Sequence, residues 1–124
     1  LRIEPRNVVV LNNLALLLAD EEGRMEEALA DARTATALAP ERPEFADTYG
    51  WLLFRAGRMK EAATMLRRAA DRLTTDALVQ YHAGMALSRV SLAIDARDGL
   101  SRARRIDPNF PGADAARAEL EKLR

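Results

Sequence analysis

Cysteine is absent from this chain, so no disulfide and no thiolate metal site can hold it together. Aromatic residues make up only 5% of the 124, and Trp51 is the single tryptophan. Alanine and leucine must therefore build the core, and small side chains suit helices that pack closely. The lone histidine, His82, has no carboxylate partners at metal-ligand spacing on its own helix, so a structural, partly exposed role is expected for it. Net charge is missing too. The 19 basic and 19 acidic side chains cancel, which argues against a nucleic-acid binder, because those carry a clear basic excess. The longest apolar run, Val8 to Ala19, is interrupted by Asn12 and Asn13. It falls short of the roughly 20 residues a bilayer span requires, so no direct membrane insertion is expected of this segment. No Gly-rich phosphate loop is present, and no nucleophile motif surrounds Ser88, Ser91 or Ser101. The reading is of a chain that is no enzyme and takes no cofactor and no metal.

What the chain does contain is a period. Ala28, Ala62 and Ala96 stand 34 residues apart, as do Ala35, Ala69 and Ala103. Ala32, Leu66 and Leu100 keep the same interval, and so do Gly50 and Gly84. Pro40 and Pro108 are separated by two periods. Self-similarity at this spacing marks a stack of like supersecondary units, and a stack offers an extended surface in place of one deep pocket.

Each period splits into two helical halves. Phe45, Tyr49, Leu52, Leu53 and Ala56 are at helical spacing, and Gly57 follows where a C-cap glycine belongs. A second helix runs from about Met59 to Leu73, and Thr75 and Asp76 are N-cap candidates for the next. The same reading gives helices near Asn7 to Asp20, Met25 to Leu38, Asp76 to Arg89, Leu92 to Ile106 and Gly112 to Leu123, with Pro40 and Pro108 as stops. No segment alternates with a period of two, so no strand is expected. The first period holds one extra residue, placed in the Asp20 to Gly23 turn. In the third, Ser91 stands where glycine would make the turn, unless it caps the following helix. Leu1 to Asn7 looks like Ala103 to Asn109, so the opening reads as the end of a preceding helix with Pro5 as its stop. The chain is then expected to be the C-terminal part of a longer protein. Its single domain divides into residues 1–7 from a truncated preceding repeat, repeats at 8–42, 43–76 and 77–110, and a capping helix at 111–124. In that cap Ala113, Ala116, Leu120 and Leu123 face inward, while Arg117, Glu119, Glu121, Lys122 and Arg124 face water.

These residues resemble the tetratricopeptide repeat family, a helix-turn-helix unit with a Leu-Gly pair, a turn glycine, alanines in the second helix and a late proline. Tyr49-Gly50, Leu53, Gly57, Ala62, Leu66 and Ala69 match it, as do Leu14-Ala15, Leu18, Gly23, Ala28, Ala35 and Pro40. Ala83-Gly84, Leu87, Ala96, Leu100, Ala103 and Pro108 complete a third copy. Gln80 and Ala46 depart from the family's large early residue, and Thr74 from its late proline, which predicts looser local packing. The resemblance implies an all-α fold, a right-handed α-α superhelix whose first helices line a concave groove. It implies a non-catalytic module that binds a protein or peptide there. Groove candidates by register are Val9, Asn12, Leu16 and Ala19, then Glu44, Asp47, Trp51 and Phe54, then Leu78, Tyr81, Met85 and Ser88. Trp51 either serves that groove or packs on a neighbouring repeat. No lysine or arginine joins Asn13, so no carboxylate clamp is expected; an apolar segment with a basic flank for Glu44 and Asp47 fits better. Two alternatives stay open: a spacer or assembly scaffold at the end of a longer array, self-association included, or a docking region of a larger enzyme. Bacterial members of the family serve envelope assembly or secretion, and the compartment, cytoplasm or cell envelope, stays open.

Overall fold

A computed structural model describes the backbone of residues 5–124 and the side chains of residues 7–124. It contains α1 (Pro5–Ala19), α2 (Met25–Leu38), α3 (Pro43–Arg55), α4 (Met59–Arg72), α5 (Ala77–Arg89), α6 (Ala93–Ile106) and α7 (Ala113–Lys122), with no strand among the described residues. Six helices pair as antiparallel hairpins, α1 with α2, α3 with α4 and α5 with α6, and α7 follows alone. Two helix starts differ from the sequence reading. α3 begins at Pro43, before Phe45, because proline at the first helical position gives up an N–H that no helix would pair. α1 begins at Pro5, so residues 5–7 belong to it and do not end a preceding helix; the remainder of that reading, residues 1–4, lies outside the described residues.

Within each hairpin the contact is set by glycine against leucine. A Cβ built on Gly50 would stand 2.6 Å from Leu66 Cγ, and one on Gly84 would stand 2.7 Å from Leu100 Cγ. Leu66 and Leu100 are fully buried, as are Ala62 and Ala96 one turn earlier. The helices can approach this closely only because the glycine offers backbone where any other residue offers a side chain.

The turns repeat as faithfully. After α3, the Arg58 N–H donates to Leu53 O at 2.9 Å and the Gly57 N–H to Phe54 O at 3.0 Å. After α5, Leu92 donates to Leu87 O at 3.0 Å and Ser91 to Ser88 O at 3.3 Å. Both are the Schellman closure, which needs a left-handed residue at its hinge. Gly57 supplies φ +84°, and Ser91 is driven to +65°, so Ser91 makes the turn and does not cap α6. The α1–α2 link carries the extra residue and closes differently, with Glu21 donating to Leu18 O and Arg24 to Glu21 O. Among the described residues, Asp76 is the one N-cap whose side chain bonds its helix, accepting from the Val79 N–H at 3.1 Å.

Gln80 corrects the expectation of loose packing. It is fully buried, and its Nε2 donates to Ala70 O at 2.9 Å and Leu73 O at 3.1 Å, while its Oε1 accepts from Arg102 at 2.9 Å. One side chain thus joins α4, α5 and α6. It satisfies a carbonyl at the end of α4, where Thr74 stands in place of a stop proline.

Candidate functional site

Curvature follows from which helices meet. The backbone of α1 approaches α3, α3 approaches α5, and α5 approaches α7, whereas α2, α4 and α6 stay apart from one another. Long side chains bridge that outer layer, as in the Arg67–Asp95 ion pair at 2.7 Å. A row of close helices backed by a row of splayed ones curves toward the close row. The first helices therefore form the inner face, where the groove candidates were placed.

That face is organised by an aromatic stack between α3 and α5. Trp51 lies parallel to Phe54 at 4.6 Å between ring centroids and to His82 at 4.0 Å. Tyr81 tilts against Trp51 at 5.8 Å and against Phe110 at 5.4 Å. The Arg89 guanidinium lies 5.6 Å over the Phe54 ring, a cation–π contact. His82 Nδ1 hydrogen-bonds Asp47 Oδ1 at 2.9 Å, fixing the imidazole plane on which Trp51 stacks. His82 is buried, contrary to the partly exposed role expected of it. Burial pushes the Tyr81 phenol above its ordinary pKa, with Arg89 opposing and Glu119 adding to the rise.

The candidates differ in exposure and in what they already hold. Glu44, Val9, Leu16 and Leu78 are exposed, and Trp51 and Phe54 are half-buried. Asp47 is largely covered and committed to His82. Tyr81 and Met85 are buried beside α7, and Ala19 is buried in the core. Tyr81 fits against the bare backbone of Gly112, where a Cβ would lie 2.8 Å from its ring. Ser88 donates to Glu119 Oε2. Asn12 is buried at 9% exposure, and its Oδ1 finds no partner among the described residues.

Glu119 reverses another expectation. It faces inward, holding Ser88 and reaching Arg89 at 3.5 Å and Lys122 at 3.9 Å. The helical wheel of α7 gave no sign of this, because Ser88 and Arg89 lie on α5. An open depression of about 560 Å³ continues from Leu78 between the α4–α5 and α6–α7 links, lined by Leu73, Ile106 and Phe110 with Asp76 and Asp107. Among the described residues no group of acidic or histidine side chains is placed to hold a metal ion. No described helix is long and apolar enough to cross a membrane.

Comparison with known proteins fits this geometry. A TPR repeat-containing protein of Pseudomonas aeruginosa is 38% identical over 69 residues, 56% of this chain and 12% of that protein. The chain thus corresponds to a small part of that relative's length. Among solved structures, the first TPR of Spaghetti (RPAP3), bound to the HSP90 peptide SRMEEVD, superposes with a TM-score of 0.85 at 17% identity, covering 98% of this chain and 93% of that one. The type III secretion chaperone SycD of Yersinia enterocolitica, in complex with a peptide of the translocator YopD, superposes at 0.82 with 19% identity, covering 99% and 96%. At such identities the likeness concerns the fold. The tetratricopeptide repeat profile matches residues 21–87, more than half of the sequence, and the chain belongs to the tetratricopeptide repeat family.

Proposed function

We propose that the inner face between α1, α3 and α5 is a non-catalytic binding surface for a short apolar segment of another protein, helical or extended, flanked by basic residues. The stack of Trp51, Phe54 and His82 carries this reading. It is a rigid, half-covered aromatic platform, and Trp and Tyr are enriched among residues that dominate binding energy. Leu16 and Leu78 extend its apolar character on the neighbouring helices, and Glu44 offers an exposed carboxylate, 4.0 Å from Arg42. Arg55 and Arg89, the basic residues that end α3 and α5, are engaged already: Arg55 with Ala19 O and Asp20, Arg89 with Glu119 and the Phe54 ring. A peptide that ends in carboxylates would find few free cations there. Two structural neighbours hold peptides, which supports peptide capture as a use of this fold.

The test is fluorescence anisotropy with two labelled peptides of about 15 residues. One carries Leu and Phe on one helical face with Lys at its ends, and the other ends in an acidic run. The basic apolar peptide is expected to bind more tightly. Trp51→Ala and Glu44→Lys should each weaken it about tenfold, near 1.4 kcal/mol, with helicity retained. Preference for the acidic peptide, or indifference to both substitutions, would remove the inner face from the account. The closure of the α5 end by α7 favours the spacer reading as the second choice, and a face that binds neither peptide would point to it.

A further inference from the structure

Most arginines of this chain already hold a partner. Arg24, Arg58 and Arg67 pair with carboxylates, and Arg102 donates to Gln80 Oε1. Arg104 and Arg105, in the last turn of α6, take part in no ion pair and no side-chain hydrogen bond among the described residues. Both line an open depression of about 410 Å³ between α6 and the start of α7. Its other walls are Ser101, Pro108, Ala113 and Arg117, so no acidic side chain lines it.

Helix chemistry accounts for part of this arrangement. A cation in the last turn of α6 offsets the negative end of that helix dipole. It does not account for Arg117, which comes from α7 and brings a third guanidinium to the same depression against like-charge repulsion. Arg117 is held by Asp114 at 3.0 Å. The wall therefore keeps two uncompensated positive charges, three guanidiniums less one carboxylate. Ser101 adds a neutral donor. The hydroxyls of Thr34, Thr48 and Thr64 bond the carbonyl four residues back along their helices, whereas Ser101 is half-buried and makes no such bond. Ala113 opens α7, so the positive end of that helix borders the depression as well.

We propose that the depression between α6 and α7 binds a single phosphomonoester group, held by Arg104, Arg105, Arg117 and the Ser101 hydroxyl. Such a group carries about −1.5 to −2 charges at neutral pH, which matches the uncompensated wall, and guanidinium forks take its oxygens in pairs. An extended polyanion fits less well, because the neighbouring arginines of the outer layer, Arg67 and Arg102, are engaged by Asp95 and Gln80. This inference is independent of what the inner face binds.

The test is an NMR titration of the isotope-labelled chain at neutral pH and fixed ionic strength, with sodium chloride as the reference salt. Inorganic phosphate should move the backbone amides of residues 101–105 and 113–117 saturably, with a dissociation constant on the order of 1 mM. Arg104→Gln combined with Arg105→Gln should weaken binding at least about tenfold, and Ser101→Ala about threefold, with amide dispersion retained. Arg33→Gln combined with Arg72→Gln removes the same charge from exposed positions elsewhere and should leave the affinity within about twofold. Two further ligands, a short phosphoserine peptide and glycerol phosphate, are then competed against inorganic phosphate. Tighter binding of the peptide assigns the group to another protein, and tighter binding of the small ester assigns it to a free metabolite; either result upholds the site. Shifts that never saturate, that chloride reproduces, or that the control pair weakens equally would overturn the proposal.

Discussion

Hairpins α3–α4 and α5–α6 share a backbone plan and divide in chemistry. Gly50 meets Leu66 as Gly84 meets Leu100, at hypothetical Cβ distances of 2.6 and 2.7 Å, and the Schellman bonds after α3 and α5 fall on corresponding residues. Elsewhere the pairs diverge: Ala46 against Gln80, Thr48 against His82, Trp51 against Met85, Phe54 against Ser88 and Gly57 against Ser91. The conserved pairs lie between the two helices of one hairpin. Most of the divergent ones lie between hairpins or on the inner face. Packing inside a hairpin admits one solution at this helix separation, whereas contacts between hairpins admit several. The aromatic stack belongs to this second class. The repeat therefore supplies a scaffold, and the residues that break the repeat give each hairpin its own surface.

The largest expected effect is also the one that should be the same in both hairpins. Gly50→Val and Gly84→Val each force a branched side chain into a leucine that has no room to retreat, with that leucine's backbone nitrogen only 3.1 Å away. Each should cost about 3 kcal/mol in urea denaturation. A marked inequality would mean that the two contacts are not equivalent. The next effect should be unequal. Gln80→Ala leaves two carbonyls and a guanidinium without their buried partner, for a loss of about 2 kcal/mol. Introducing glutamine at the matching site, Ala46→Gln, should destabilise as well, because α2 already ends at Pro40 and the site is packed by Ala69 and Val79. If the exchange at position 46 were neutral, the glutamine would be a tolerated filler and not a tie between helices.

Sequence alone reached the architecture because its signals are redundant. The two helical halves recur in every period and the hairpin glycine in two of them, so the extra residue at Asp20 to Gly23 stands out against the repeat. It also placed Trp51, Phe54 and Tyr81 on one side of their helices. It missed what depends on a partner two elements away. His82 and Asp47 are one period and one residue apart, so their bond is visible only once α3 is laid beside α5. Gln80 reads as a flaw in the repeat until the carbonyls of Ala70 and Leu73 are set opposite it. Glu119 reads as a surface charge on α7 because its partners, Ser88 and Arg89, belong to the preceding hairpin. Helical periodicity reports which face is apolar, and a charge buried by bonding across helices defeats it.

Ser91 gives the smallest effect and the finest test of the comparison. Its φ of +65° falls in a region where a Cβ is crowded by the following carbonyl, a strain of roughly 1–2 kcal/mol that glycine avoids. Part of that gain is offset by the extra freedom glycine brings to the unfolded chain. Ser91→Gly should therefore stabilise the protein by about 1 kcal/mol, and Gly57→Ser should destabilise it by a similar amount, since nothing lies within 4 Å of a Cβ at Gly57. The paired exchange should nearly cancel in thermal melts of the double variant, because each turn would simply have taken the other's residue. A stabilising Gly57→Ser, or a Ser91→Gly without effect, would show that the two turns store different strain despite matching hydrogen bonds.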